Sequence, residues 1–172
     1  SELHTFVDAS SDAYGAVTYV RHVMSNSEVS VKFVAAKTRV APLKSTSIPR
    51  LELVAAVLGL KLTEQVCRTL NIPVSNVTFW SDSMNVLWWV RAKSRYFKPF
   101  IANRIGSIQE VTEPQQWRYI PTKMNPADVL SRGTSANKLA TNHEWLNGPE
   151  YLQTGQSAWP ENKFQQHDNA KC

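Results

Sequence analysis

The stretch Leu3-His4-Thr5-Phe6-Val7-Asp8-Ala9-Ser10 constrains this chain most. Leu3, Phe6 and Val7 supply bulk and β-propensity, and Ser10-Ser11-Asp12 interrupts the run. It reads as a short β-strand that ends on a carboxylate. One strand cannot bury itself, so a strand this near the start must pair with later segments. The same design recurs at Val77-Thr78-Phe79-Trp80, followed by Ser81-Asp82-Ser83. Taken singly, Asp8 suits a turn and Asp82 suits the N-cap of a following helix. The rest of the chain decides whether these two acids do more.

In chain order the next signals are strands. Asp12-Ala13-Tyr14-Gly15 marks a tight turn, and Ala16 to Arg21 reads as a second strand. After Ser25-Asn26-Ser27-Glu28, Val29 to Lys37 alternates, with Val31, Phe33 and Ala35 expected on one face. Three strands joined by short turns predict an antiparallel meander. Thr38 to Ser47 is expected to be a loop, holding Pro42 and Lys44. Pro49 then opens a helix from Arg50 to about Leu70, with Leu51, Val54, Val57, Leu58, Leu62 and Val66 at helical spacing. Glu52 is placed in its first turn, where an acid also suits the helix dipole. It shares a face with Ala55, Ala56, Gly59 and Thr63, and small residues there let a helix lie close on a sheet. Asn71-Ile72-Pro73 stops this helix. The strand Val77–Trp80 follows, then a helix from Met84 to about Ala92. A further helix is expected from Pro99 to about Glu110, with Arg104 among its apolar residues, and a fifth strand at Trp117-Arg118-Tyr119-Ile120. A polar loop, Lys123 to Ala127, leads into a short helix with Asp128 in its first turn. Hairpins first and strand–helix alternation afterwards indicate a mixed α/β sheet with helices packed on it.

Composition narrows the class. At 172 residues with 42% hydrophobic content, the chain can bury one real core with an appendage. No long uncharged apolar run is present of the kind a membrane span needs, so no membrane partner is expected. The chain starts at Ser1 without a basic-then-apolar leader, and we read it as a piece of a longer polypeptide. Two cysteines, Cys67 and Cys172, make no disulfide framework and fit a reducing, cytoplasmic compartment. A net charge of +5 is compatible with a polyanionic partner without demanding one. The clearest local excess is Arg91 to Lys98, with Arg91, Lys93, Arg95 and Lys98 and no acid between them. It suits either a solvated helix end or a phosphate-tracking patch.

Four carboxylates now stand at element boundaries: Asp8, Glu52, Asp82 and Asp128. They suit one site if the first and fourth strands are neighbours and the two helix starts lie over their ends. Clustered carboxylates repel, so their convergence calls for a cation. All-oxygen ligands select Mg²⁺ or Mn²⁺ over zinc. Two such ions roughly 3.5–4 Å apart can activate a water and stabilise the leaving oxygen of a phosphodiester.

These residues carry a resemblance. Phe6-Val7-Asp8-Ala9-Ser10 with Tyr14-Gly15-Ala16, Arg50-Leu51-Glu52-Leu53-Val54-Ala55-Ala56, Trp80-Ser81-Asp82-Ser83 and Asn125-Pro126-Ala127-Asp128-Val129-Leu130-Ser131-Arg132-Gly133 resemble the ribonuclease H domain of LTR retrotransposons. Pro49-Arg50-Leu51-Glu52-Leu53 and Lys98-Pro99-Phe100-Ile101-Ala102-Asn103-Arg104-Ile105 are most similar to the BEL/Pao group. The match runs over residues 3 to 133 in the right order, with all four acidic positions filled.

The resemblance implies a ribonuclease H-like mixed five-stranded sheet: three antiparallel strands, then strand–helix units, with helices on both faces. It implies hydrolysis of the RNA strand of an RNA–DNA hybrid with two Mg²⁺ ions, for which Mn²⁺ can substitute. Asp8 would bridge both ions, Asp128 would help hold the ion that activates water, and Glu52 and Asp82 would hold the ion on the leaving-group side. Arg50, Thr46 and Ser47 would contact the hybrid at its backbone and 2′-hydroxyls, and Asn85 would reach the same groove. Relatives place a histidine in the loop before the last acid. Here Trp117 to Asp128 has none, Lys123 lies near that place and joins the nucleic-acid-contacting set, and His143 falls past the motif. The expected partners are the reverse transcriptase and integrase segments of the same polyprotein, within retroelement particles.

The catalytic domain is expected over 1–133. Residues 134–172 form a C-terminal extension or linker, with Trp145 to Leu152 as an apolar island that docks or makes a junction, and linker composition from about Gln153. His143, His167 and Cys172 lack metal spacing. A second reading is a non-catalytic nucleic-acid-binding or connector module of the same fold, which would need none of the four acids. An integrase-type core is disfavoured by a helical Glu52 lying between the two strand-end aspartates.

Overall fold

The computed structural model describes residues 1–43 and 46–161. Five strands, β1 (Glu2–Ala9), β2 (Ala13–Val23), β3 (Val29–Val40), β4 (Val77–Ser81) and β5 (Trp117–Tyr119), form one sheet in the order β3-β2-β1-β4-β5. The first three are antiparallel neighbours, and β4 and β5 run parallel to β1. The helices are α1 (Ile48–Leu70), α2 (Met84–Trp89), α3 (Pro99–Val111), α4 (Asp128–Arg132), α5 (Ala136–Thr141) and α6 (His143–Asn147). Strand β1 is central and buried along almost its whole length, so what it carries at its end is held rigidly.

The alternation of side chains across the sheet divides the core in two. On one face Leu3, Val7, Ala16, Phe79 and Trp117 pack against Leu53, Ala56, Leu60 and Ile108 of α1 and α3. On the other, Phe6, Val17, Tyr19 and Trp80 pack against Leu130, Trp145 and Leu152. Helix α1 lies close on β1, as its small-residue face requires. A Cβ at Gly59 would stand 2.5 Å from Val7 Cγ1. Thr63 and Thr5 share a hydrogen bond between their buried hydroxyls at 2.5 Å, and Thr5 also meets Thr18 at 2.8 Å. Asn71 ends the helix in the left-handed conformation, φ 54°.

Local expectations change in four places. Thr38 to Val40 continue β3 instead of starting a loop, because Ala13 to Gly15 of β2 extend to pair with them. The alternation of β3 does not hold to its end: a register shift opposite Thr18 and Tyr19 leaves Val34 as an extra residue. Phe33 consequently packs on the α4 side while Ala35 turns to the α1 side, so Val31, Phe33 and Ala35 do not share a face. Helix α1 begins at Ile48, which moves Glu52 into the second turn. Ser83, not Asp82, caps α2, its side chain accepting from the Val86 N–H.

The segment after Gly133 packs on the sheet. Tyr19 Oη–H donates to the Trp145 carbonyl at 2.6 Å, and Arg21 donates to the carbonyls of Leu152 (2.7 Å) and Thr154 (3.0 Å). The apolar island therefore docks. Residues 153–161, whose composition suggested a linker, also lie against the sheet: the Trp159 ring meets His4 and Trp80, and Arg118 donates to the Pro160 carbonyl. His4 is wholly buried there, accepting from Trp80 Nε1–H and hydrogen-bonded to Glu2. Lys44, His167 and Cys172 lie outside the described residues.

Candidate metal centre

The acids are brought together by strand pairing. Val7 and Ser81 are partners in the parallel β1–β4 pair, so Asp8 and Asp82 leave the sheet side by side. The close approach of α1 to β1 then places Glu52 over the same ends. One carboxylate oxygen from each of Asp8, Glu52 and Asp82 lies within 4.8 Å of the others. Asp8 and Glu52 are buried, at 4% and 7% exposure, which makes like charge costly here.

The electrostatics follow. Burial, then the Asp82 charge, raises the Asp8 carboxyl to about 7, against the hydrogen bonds from Ser131 and the Ala9 N–H. Burial, then Asp82 and Asp8, raises Glu52 to about 9. Burial also raises Asp82, opposed by hydrogen bonding to Thr122 and Asn125. Glu52 Oε2 is buried with no hydrogen-bond partner. Three converging carboxylates with an orphaned oxygen form a donor set suited to a hard divalent cation, which would return all three to their charged forms.

Asp128 stands apart from this trio. It opens α4, lines the same cavity of about 490 Å³ as Asp8, Glu52 and Asp82, and its Oδ2 accepts from Arg132 Nε at 3.0 Å. Its loop is pinned to β1. Asn125 donates from Nδ2 to the Val7 carbonyl (3.0 Å) and accepts from the Ala127 N–H (3.0 Å). Ser131 Oγ–H donates to Asp8 Oδ2 at 2.7 Å. Gly15 permits this approach, because a Cβ there would lie 2.8 Å from Leu130 Cβ and 2.9 Å from the Lys37 carbonyl. Asn125, Ser131 and Thr122 carry no signal of such a role in the sequence. Small polar residues flanking an acid are too common to single out, and only the proximity of α4 to β1 reveals them.

The expected nucleic-acid contacts scatter. Asn85 lines the acid cavity. Lys123 is exposed in the short turn Thr122–Met124 and lines a neighbouring cavity that shares Thr122 and Asp128 with the first. Thr46 and Ser47 precede α1, and Ser47 makes no capping hydrogen bond through its side chain. Arg50 points to α3, its guanidinium 5.3 Å from the Phe100 ring, while Arg104 stacks on the same ring at 3.6 Å. Within the basic stretch, Arg91 is committed to the carbonyls of Leu87 and Trp117, whereas Lys93, Arg95 and Lys98 are exposed. His143 opens α6 and meets Asn147.

A sequence family and a solved structure agree with this architecture. Residues 1–83 match the family model described as the Pao retrotransposon-like RNaseH-like domain. Among solved structures the chain is similar to the N-terminal RNase H domain of a Mycobacterium tuberculosis protein, solved as a fusion with maltose-binding protein. The TM-score is 0.53 at 12% identity, covering 76% of this chain and 91% of that one. An exopolyphosphatase from Cytophaga hutchinsonii overlaps at 12% identity with a TM-score of 0.35, covering 73% of this chain and 36% of that one. No curated protein matches by sequence. The fold is ribonuclease H-like, a mixed five-stranded sheet with helices on both faces.

Proposed function

We propose that this chain, with its Pao retrotransposon-like sequence over residues 1–83 and its ribonuclease H-like fold, is a metal-dependent endonuclease that hydrolyses the RNA strand of RNA–DNA hybrids. The observation that carries the reading is the convergence of Asp8, Glu52 and Asp82 at buried strand and helix ends, with Glu52 Oε2 unsatisfied. Such a cluster is costly in a protein that only binds or connects.

Asp8, Glu52 and Asp82 would hold Mg²⁺, or Mn²⁺ in its place, with Asp128 completing the set for a second ion. When bound, the cations supply Lewis-acid stabilisation of the phosphodiester oxygens and lower the pKa of a water. The chain's own part is to fix four carboxylates and to orient the hybrid. Asn85 and Lys123, which line the acid cavity and its neighbour, would meet the hybrid, Thr46 and Ser47 would reach its backbone and 2′-hydroxyls from before α1, and Arg50 would join them by turning from Phe100; the 2′-hydroxyl is what separates RNA from DNA at such a site. Water oxygen bonds to phosphorus as the bond to O3′ breaks, leaving a 3′-hydroxyl and a 5′-phosphate. The activity belongs to reverse transcription of a retroelement, with polymerase and integrase segments of one polyprotein as partners inside cytoplasmic particles. No helix among the described residues is long and apolar enough to cross a membrane.

The test incubates the protein with labelled RNA–DNA hybrid, duplex DNA and duplex RNA, with Mg²⁺, Mn²⁺ or chelator. Cleavage confined to the RNA of the hybrid, requiring a divalent ion and lost in Asp8→Asn, is expected. Hybrid binding without cleavage by the wild type would favour the connector reading. Cleavage that persists in Asp8→Asn would remove the site from consideration.

A further inference from the structure

The acids are not held by their own backbones alone. Ser131 sits on α4, 3% exposed, and reaches across to β1, where its hydroxyl donates to Asp8 Oδ2 at 2.7 Å. The same hydroxyl lies 3.0 Å from the Asp128 carbonyl of its own helix. It has one proton, and the shorter, charge-assisted contact to the carboxylate is the stronger claim on it. The Ser131 carbonyl is held in turn by Ser10 Oγ–H at 2.6 Å, two residues beyond Asp8. Strand β1 and helix α4 are thus joined by reciprocal bonds around one carboxylate: Ser131 fixes Asp8, and Ser10 fixes Ser131.

We propose that Ser131 is a positioning residue for the metal centre, fixing the plane of the Asp8 carboxylate so that it meets the cation together with Glu52 and Asp82. The proposal rests on the reading of these acids as metal ligands. Its physical basis is that a carboxylate at a strand end keeps rotational freedom about its last bond. One buried donor on Oδ2 removes that freedom while leaving Oδ1 and the second Oδ2 lone pair to the ion. Partners of this kind orient ligands, and losing one commonly weakens metal binding by about 10–100-fold. Ser131 is buried on a helix that lies against β1, so its short hydroxyl reaches Asp8 without leaving the helix.

The test measures Mn²⁺ binding directly, by calorimetry or electron paramagnetic resonance, in the absence of nucleic acid. The proteins compared are the wild type, Ser131→Ala and Ser131→Thr, each with its melting temperature in chelator. Ser131→Ala is expected to bind Mn²⁺ at least about 10-fold more weakly while remaining folded. Ser131→Thr, which restores the hydroxyl, is expected to recover most of the affinity. Ser10→Ala, which frees the Ser131 carbonyl but leaves its hydroxyl on Asp8, is expected to lose less than Ser131→Ala and serves as the readout if Ser131→Thr is too crowded to fold. Equal Mn²⁺ affinity in the wild type and Ser131→Ala would overturn the positioning role while leaving the metal centre intact. A wild type that binds no Mn²⁺ at millimolar concentration would overturn both.

Discussion

Asp8 and Glu52 carry opposite demands. Their folded-state pKa values, about 7 and about 9, stand above the ordinary 3.8 and 4.5. Between these limits the folded state holds more protons than the unfolded one, so stability falls as pH rises. With respect to these groups, metal-free protein is therefore expected to be most stable below about pH 4 and to lose stability from there up to about pH 9, each pKa unit amounting to about 1.4 kcal/mol. Divalent cation removes the penalty, and its stabilising effect should be larger at pH 8 than at pH 5. Thermal melts in chelator and in Mg²⁺ across this range check both signs. The same conflict separates two effects of Asp8→Asn. Hybrid cleavage should fall to background, yet the melting temperature in chelator at pH 8 should rise, by the equivalent of about 1–2 kcal/mol, because a buried carboxylate that is largely charged at that pH is gone. A lower melting temperature in that variant would mean that Asp8 is structural first.

Among the elements, α1 against β1 decides the site. Gly59 is the contact that sets their spacing, since an added Cβ would stand 2.5 Å from Val7 Cγ1 and 3.3 Å from Thr5 Cγ2. Val7 is wholly buried in the central strand and has no room to retreat. For Gly59→Ala, a helix-propensity gain of about 1 kcal/mol opposes an over-packing cost of about 1–3 kcal/mol. The cost should win, giving a lower denaturation midpoint in urea. Because Glu52 rides on the same face two turns earlier, metal affinity should weaken with it. A variant more stable than the wild type would show that the helix can stand off without loss.

For the whole molecule, the second face of the sheet depends on the chain beyond Gly133. Phe6, Tyr19 and Trp80 are wholly buried there, under Trp145, Leu152 and the Trp159 ring. Trp145→Ala is expected to cost about 3–5 kcal/mol. A chain ended at Gly133 should expose this aromatic face, bind a hydrophobic dye and melt well below the longer protein. If the shortened chain matches the full one in stability and Mn²⁺ binding, residues 1–133 are sufficient by themselves. Arg21 and Arg118 also fasten the segment by its carbonyls.

The strands, the long helix and the placing of Asp8 and Asp82 at strand ends were legible because each is written locally: an apolar run that stops on a carboxylate, a proline that opens a helix, a 3.6-residue repeat. The bulge at Val34 was not legible, because it follows from how β2 and β3 align and leaves no mark in the alternation itself. Nor was the role of Ser83, a small hydroxyl beside an acid that caps equally well on paper. By itself the sequence determined which side chains could serve the site. Only the tertiary structure decided that three of the acids converge while Asp128 pairs with Arg132, and that Ser131 and Asn125 tie the last helix to the first strand. The physical reason is distance: hydrogen bonds and charge repulsion act over a few ångströms, and residues 123 positions apart in the chain come within that range only when the sheet has closed.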